Sequence, residues 1–155
     1  MSVSALGRRC PLLGKIDLSY CHRITDVGIL AIAHRCPVLS NINIQACSEI
    51  TDISVSALGR SCPLLGKIDI SYCIQITDVG ISAIAHRCPV LSNINIQACS
   101  EINDISVSAL GRRCPLLGKI GLSNCIQITD VGVSAIAHGC PVLNSISLSN
   151  NRNIT

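Results

Sequence analysis

A 26-residue period runs through the whole sequence and constrains its fold more than any other feature. Residues 2–53 recur as residues 54–105 with six differences, and a third, incomplete copy runs from residue 106 to residue 155. Each 52-residue unit divides into two diverged halves of 26 residues, so the chain contains about six repeats. Such a period indicates small units that bury their apolar faces only against neighbouring copies. We therefore predict a single domain over residues 1–155.

The residues of one repeat predict a short strand followed by a helix. Polar and apolar residues alternate in Lys15–Ser19, which is typical of a half-buried strand. Further along, Ile29, Ile32 and Cys36 fall on one helical face. Stacked copies with strands about 4.8 Å apart and bulkier helices behind them bend into an arc. The sheet should therefore line the concave side of an α/β solenoid, with the helices on the convex side.

The ends of each helix carry their own signals. Thr25 or Asp26 is placed to cap the first N–H groups, and an acidic side chain there suits the helix dipole. Arg35 lies in the last turn, where a cation is favoured, and Pro37 stops the helix. Equivalent residues in the other repeats predict the same boundaries.

Eleven cysteines fall into two series with the same 26-residue step. Six precede proline and five follow the predicted strands: Cys10, Cys36, Cys62, Cys88, Cys114 and Cys140; Cys21, Cys47, Cys73, Cys99 and Cys125. Periodic spacing indicates a repeated core position for a small side chain rather than a disulfide framework. The start of the chain also lacks the apolar segment of a signal peptide. We therefore expect reduced cysteines and an intracellular (cytoplasmic or nuclear) protein.

Each repeat reads L-x-x-I-x-[LI]-x-x-C-x-x-I, as in Leu13, Ile16, Leu18, Cys21 and Ile24. This pattern resembles the cysteine-containing, 26-residue class of leucine-rich repeat (LRR), and the resemblance covers essentially the whole chain. It implies a right-handed LRR solenoid. It also implies a role similar to the substrate-recognition region of F-box/LRR ubiquitin-ligase receptors. No F-box-like segment is present, so a ligase role would require another domain or chain.

Departures from the repeated pattern include one cysteine position and one glycine position. Asn151 occupies the place of a cysteine, and Ser54 and Ser106 stand where other repeats have glycine.

The solvent-facing strand positions are the candidate binding residues. Their side chains are polar, apart from two tyrosines, and tyrosine is frequent in interface hot spots. The candidates are Lys15, Asp17, Tyr20, Asn43, Gln45, Lys67, Asp69, Tyr72, Asn95, Gln97 and Lys119. Ser71 is expected to share this solvent-facing surface. One interpretation is a face that binds a protein or peptide, and the alternative is a set of solvated ladders that keep the sheet soluble.

Composition and motifs argue against several other classes. A hydrophobic content of 48% with only 14% charged residues excludes intrinsic disorder. Nucleic-acid binding is disfavoured, because the arginines are explained as helix C-terminal cations and the chain has no Phe or Trp for base stacking. No apolar run approaches the ~18 residues of a membrane-spanning helix. We therefore expect neither a nucleic-acid nor a membrane partner.

Metal and catalytic sites are also not predicted. His34, His86 and His138 lie two residues before a cysteine, but in a solenoid such groups form parallel ladders instead of converging on one ion. The sequence has no phosphate loop and no G-x-S-x-G elbow. A catalytic site needs residues with different chemical roles close together, whereas this sequence distributes the same residue types evenly along the repeats. We expect no cofactor and no enzymatic activity.

Two function classes therefore remain open. The first is a non-catalytic interaction module that binds a protein or peptide on its concave sheet. The second is an artificial or consensus-like repeat scaffold with no evolved ligand. The near-identity of the copies indicates either recent duplication or design, and scattered changes such as Leu18/Ile70 resemble drift. The open edge of the final strand also suggests end-to-end self-association.

Overall fold

The computed structural model describes residues 2–155, which form six helices and six strands in strict alternation. The helices are α1 (Val3–Arg9), α2 (Asp26–Arg35), α3 (Asp52–Ser61), α4 (Asp78–Arg87), α5 (Asp104–Arg113) and α6 (Asp130–Gly139). The strands are β1 (Lys15–Asp17), β2 (Asn41–Asn43), β3 (Lys67–Asp69), β4 (Asn93–Asn95), β5 (Lys119–Gly121) and β6 (Ser145–Ser147).

The six strands form one parallel sheet in sequence order. Each strand pairs with the next in a register shifted by one repeat, so that Ile16 lies opposite Ile42 and Ile42 opposite Ile68. Each helix packs on the next behind this sheet. Because a helix is about 10 Å wide and strands are about 4.8 Å apart, the stack curves with the sheet inside. The predicted α/β solenoid is confirmed.

The core consists of isoleucine, leucine, valine, alanine and cysteine stacked between repeats. Ile29, Ile32 and Cys36 are fully buried, as the helical pattern predicts. All eleven cysteines are free thiols. In four consecutive repeats the thiol that follows the strand donates to a carbonyl of the preceding repeat, as from Cys73 Sγ to Ile44 O at 3.1 Å.

Asn151 continues this ladder with a different donor. Its Nδ2 lies 2.9 Å from Leu122 O, the carbonyl that a cysteine would contact at this position. The carboxamide therefore keeps the inter-repeat hydrogen bond, while its buried Oδ1 has no hydrogen-bond partner among residues 2–155.

Helix capping differs in part from the sequence expectation. Thr51 and Thr77 are N-caps whose side chains accept from the backbone N–H two residues on, at 3.2 Å in each case. Thr25 holds the same position but forms no side-chain cap. Asp26, the other predicted cap, accepts from Thr51 N at 3.0 Å and Thr51 Oγ1 at 2.7 Å in the next repeat. The aspartate is therefore a staple between repeats.

The staple also explains why serine and glycine alternate from repeat to repeat at the position two residues after the aspartate. The hydroxyls of Ser54 and Ser106 donate to Asp26 and Asp78 of the preceding repeat. At the other junctions a glycine N–H donates instead, as from Gly80 to Asp52 Oδ1 at 3.1 Å. A Cβ on Gly80 would lie 2.5 Å from that oxygen, so a side chain there would require the Asp52 carboxylate to shift from its present position.

Candidate binding face

Residues of the strands, and of the turns that follow them, form three parallel rows across the sheet. The lysine row consists of Lys15, Asn41, Lys67, Asn93, Lys119 and Ser145. The aspartate row lies two residues further along each strand and consists of Asp17, Asn43, Asp69, Asn95, Gly121 and Ser147. The third row follows the strands and includes Ser19, Gln45, Ser71 and Gln97. We call these rows and the two tyrosines beside them the sheet face.

The structure places all eleven sequence-predicted candidates on this face with solvent access. Lys15, Lys67, Lys119, Asp17 and both tyrosines are exposed, and the remaining candidates are half-buried.

Ser71 differs from the expectation, because it is fully buried. Its hydroxyl donates to Asp69 Oδ1 at 2.6 Å, and its backbone N–H contacts the same oxygen at 2.9 Å. The serine therefore orients the aspartate instead of facing a ligand.

The carboxylates of the aspartate row are held by neutral donors. Asn43 Nδ2 donates to Asp17 Oδ2 at 3.3 Å, and Asn95 Nδ2 donates to Asp69 Oδ2 at 3.1 Å. Ser19 N also contacts Asp17 Oδ1 at 2.9 Å. The hydrogen bonds from Ser19, and secondarily the one from Asn43, lower the pKa of Asp17 below its usual value. Asp17 and Asp69 are thus each paired with an asparagine of the next strand, in a hydrogen-bonded ladder that is interrupted between Asn43 and Asp69.

The lysines take no part in that ladder. Among residues 2–155 no side-chain hydrogen bond of the sheet face uses a lysine ammonium group. The carboxamides of Asn41 and Asn93, which lie between the lysines, also form no hydrogen bond with any described residue. The lysine row therefore presents charge and hydrogen-bonding capacity to solvent.

Both tyrosines sit at a constrained backbone position just after the strands. Tyr20 has a φ of 60° and Tyr72 a φ of 61°, in the left-handed region. The hydroxyl of Tyr72 accepts from Gln97 Nε2 at 3.0 Å, and the ring of Tyr20 packs edge-on against His22 with centroids 6.4 Å apart. The tyrosines are therefore oriented anchors at one margin of the sheet face.

Three open depressions lie along the lysine row. One of about 290 Å³ is lined by Lys15, Asp17 and the adjacent asparagines. Another of about 320 Å³ contains both Lys67 and Lys119 and is bordered by Leu116 and Val142. The third, of about 180 Å³, extends from Lys119 to Ser145 and Ser147 beside Gly121.

A larger depression of about 860 Å³ lies away from the sheet face, between the start of α1 and the turn that contains Cys21 and His22. In the next double unit the corresponding space holds the turn around Ser48, whose carbonyl accepts from Gln75 Nε2 at 2.6 Å. This space is a repeat-packing surface and contributes no polar constellation to the candidate site.

The histidines do not converge with the cysteines. His86 Nδ1 and His138 Nδ1 each lie 2.7 Å from a backbone carbonyl of their own helix. Within the described part of the chain, no group of three or more His, Cys, Asp or Glu is placed to hold a metal ion. None of the described helices has the length and apolar character needed to cross a bilayer.

Comparisons with known proteins agree with this architecture. A family model described as a leucine-rich repeat matches residues 9–33 and 61–85. A chain in the crystal structure of the Rad7 and Elc1 complex in yeast superposes with a TM-score of 0.79 at 20% sequence identity. The match covers 87% of this chain but only 35% of that one. No curated protein matches the sequence significantly.

Proposed function

Because the chain carries leucine-rich repeats and folds as their solenoid, we propose that it is a non-catalytic interaction module that binds a protein or peptide on its sheet face. The observation that carries this proposal is the lysine row, whose ammonium groups lie on alternate strands, form no hydrogen bond with the described residues and lie beside oriented tyrosines. Interface hot spots are enriched in tyrosine, and charged rims set the choice of partner.

The size of the face favours a peptide or a protein edge. Six strands at about 4.8 Å spacing span roughly 24 Å, and the residues of one strand with its turn span roughly 20 Å. The projected area is thus roughly 500 Å², whereas a stable globular interface buries about 800 Å² per partner. A large globular partner would also need to contact the loops at the margins.

The resemblance to F-box/LRR receptors supports a recognition role within a larger assembly. The Rad7 and Elc1 structure is itself a protein complex. We also propose that the protein is intracellular and that its cysteines are reduced, since buried free thiols suit a reducing compartment.

Affinity capture with matched variants tests the module. The intact protein is compared with the triple variant Tyr20→Ala/Lys67→Gln/Tyr72→Ala and with a helix-side control, Arg35→Ala/His86→Ala/Arg87→Ala. We expect specific partners to be retained by the control and lost by the sheet-face variant, with both variants folded by circular dichroism. Identical captures by all three proteins would contradict the proposal and favour a scaffold without a ligand.

End-to-end self-association is a second candidate function. Among the described strands, β1 and β6 each pair on one side only, and Ile146 in β6 is 38% exposed. Such an open edge can pair with another chain. Sedimentation velocity across a wide concentration range should reveal a growing species, and a strictly monomeric protein would rule this candidate out.

A further inference from the structure

The lysine row has a spacing that selects the conformation of its ligand. Lys15, Lys67 and Lys119 lie on alternate strands, β1, β3 and β5. Two strand spacings correspond to about 9.6 Å between successive lysines. A ligand that runs across the strands and pairs with every lysine must therefore repeat its complementary group at about this distance.

The charge of the row calls for carboxylates. The nearby aspartates are already engaged by Asn43 and Asn95 and do not pair with the lysines. In β5 the aspartate is replaced by Gly121, so Lys119 has no carboxylate beside it in the next row. An acidic ligand therefore meets unneutralised cations along the lysine row, with the least repulsion near β5.

Regular backbone conformations differ in how well they match this spacing. A polyproline II helix rises about 3.1 Å per residue with three residues per turn, so one face repeats about every 9.3 Å. A β-strand repeats one face about every 6.7 Å. An α-helix returns to nearly the same face after seven residues, or about 10.5 Å. Across three lysines the polyproline II mismatch totals about 0.6 Å, against about 1.8 Å for the α-helix.

The groups between the lysines suit the same ligand. Asn41 and Asn93 offer unengaged carboxamides midway between lysines, and a polyproline II backbone has no internal hydrogen bonds of its own. Leu116 and Val142 border the depression that holds Lys67 and Lys119. These aliphatic side chains offer an apolar contact for proline rings.

We propose that the lysine row binds an acidic, proline-rich segment of a partner protein in the polyproline II conformation, with a carboxylate at every third residue. The segment lies along the solenoid axis. Lys15, Lys67 and Lys119 bind its carboxylates, and Asn41 and Asn93 bind its backbone. This inference rests on the proposed function and specifies the class of ligand.

Two peptides of equal composition and charge provide the test by fluorescence anisotropy. The first contains four Glu-Pro-Pro triplets, and the second has the same residues with the glutamates in adjacent pairs. We expect the regular peptide to bind at least about fivefold more tightly, since only it places a carboxylate at each lysine. Raising the salt from about 0.05 M to about 0.3 M should weaken that binding, because exposed charges are screened.

Matched variants locate the site. Lys67→Gln should weaken binding of the regular peptide about two- to fivefold, which is the size of one exposed ion pair. Arg87→Gln removes the same charge from the end of α4 and should leave binding unchanged. Equal affinity for both peptides, an unaffected Lys67→Gln, or tighter binding of a helical peptide with glutamate at every seventh residue would each overturn the inference.

These outcomes are separable from the proposed function. If the protein captures a partner through Tyr20 and Tyr72 but binds neither peptide, the proposed interaction module is supported. The same result would contradict the proposal of an acidic, proline-rich ligand. Spacing-dependent peptide binding that Lys67→Gln weakens would support the ligand class even if the lysate yields no partner.

Discussion

One residue in every repeat adopts a backbone conformation that ordinary side chains disfavour. It lies just after each strand, and its φ is between 57° and 61° at all six places: Tyr20, Ala46, Tyr72, Ala98, Asn124 and Asn150. Asparagine tolerates this left-handed region, whereas tyrosine and alanine incur a steric cost of about 1–2 kcal/mol. Four repeats therefore carry local strain that the surrounding hydrogen bonds maintain.

Replacing one strained alanine with glycine should stabilise the protein. We expect Ala98→Gly to raise the free energy of unfolding by about 1 kcal/mol, because glycine adopts positive φ without steric cost. Urea unfolding followed by circular dichroism measures the change. Ala109→Gly in α5 is the control and should lower stability by about 1 kcal/mol or more. A loss of stability in Ala98→Gly would show that the strain is not significant.

Burial also distinguishes the thiols. It raises the pKa of Cys62 to about 11 and those of Cys73 and Cys114 to about 12. Cys21, by contrast, is exposed to solvent. Because the thiolate is the reactive form, most of these cysteines should be inert in the folded protein.

Thiol labelling tests this difference. We expect the native protein to react rapidly with the reagent DTNB at Cys21, slowly at the half-buried Cys10, and at the buried thiols only after denaturation. Cys21→Ser should abolish the fast phase, while Cys73→Ser should leave it intact. Rapid labelling of the buried thiols in native buffer would contradict their burial between repeats.

Neighbouring helices are joined at their N-termini by the aspartate staples. Asp26 in α2 accepts from Thr51 and Ser54 in the next repeat. Burial opposes ionisation of Asp26, but the hydrogen bonds from Ser54 and Thr51 outweigh it and lower its pKa. The folded state thus favours the carboxylate form.

The staple should make stability depend on pH in a defined direction. Because the folded pKa of Asp26 is depressed, its contribution is complete above the unfolded value of about 3.9 and is lost as the pH falls through the folded pKa. We expect Asp26→Asn to lower the free energy of unfolding by about 1–3 kcal/mol at about pH 7. The difference from wild type should shrink as the pH falls below about 3.9 and through the depressed folded pKa.

Urea unfolding at several pH values measures this effect. Glu49→Gln is the matched control, because Glu49 is exposed and forms no side-chain hydrogen bond among the described residues. A pH-independent difference between Asp26→Asn and wild type would refute an electrostatic staple.

The sequence predicted the elements better than the contacts between them. Alternation in Lys15–Ser19 and the helical pattern of Ile29 and Ile32 are local signals, and the structure confirms both elements. The staple from Asp26 to Thr51 joins residues 25 apart. Local capping rules assigned that aspartate to its own helix, since only the stacked fold shows that it faces the next one.

At the scale of the whole molecule, stability is distributed along the stack. Each strand pairs in register with its neighbours, and the core is a continuous column of side chains such as Ile42, Ile68 and Ile94. In a solenoid the effect of a substitution therefore depends on whether its repeat has neighbours on both sides.

Equivalent truncations at different repeats test this dependence. Ile68 in β3 is 2% exposed, whereas Ile146 in β6 is 38% exposed. We expect Ile68→Ala to lower the free energy of unfolding by about 2–5 kcal/mol and Ile146→Ala by about 1 kcal/mol or less. Chemical unfolding of both variants measures the difference, and equal losses would contradict a nearest-neighbour stack.

The sequence predicted which residues lie on the sheet face but not the hydrogen bonds between them. Period-two alternation placed Lys67, Asp69 and Asn95 on one side of the sheet. The same alternation predicted that Ser71 faces solvent, and this prediction is wrong. The strand has only three residues, so the alternation no longer applies in the turn that contains Ser71. The hydrogen bonds between asparagines and aspartates depend on the register between neighbouring strands, which joins residues 26 positions apart. The pattern within one strand therefore did not predict them.

The two kinds of junction between helices limit how such a chain can change in length. Along the stack, junctions in which a serine contacts the preceding aspartate alternate with junctions in which a glycine does so. Inserting or deleting 52 residues preserves this alternation. Inserting a single unit of the serine type would instead bring a serine against Asp52, whose carboxylate would have to shift because a Cβ would lie 2.5 Å from its present oxygen position. Growth by gene duplication should therefore favour whole pairs of repeats, and the near-identical copies in this chain have that size.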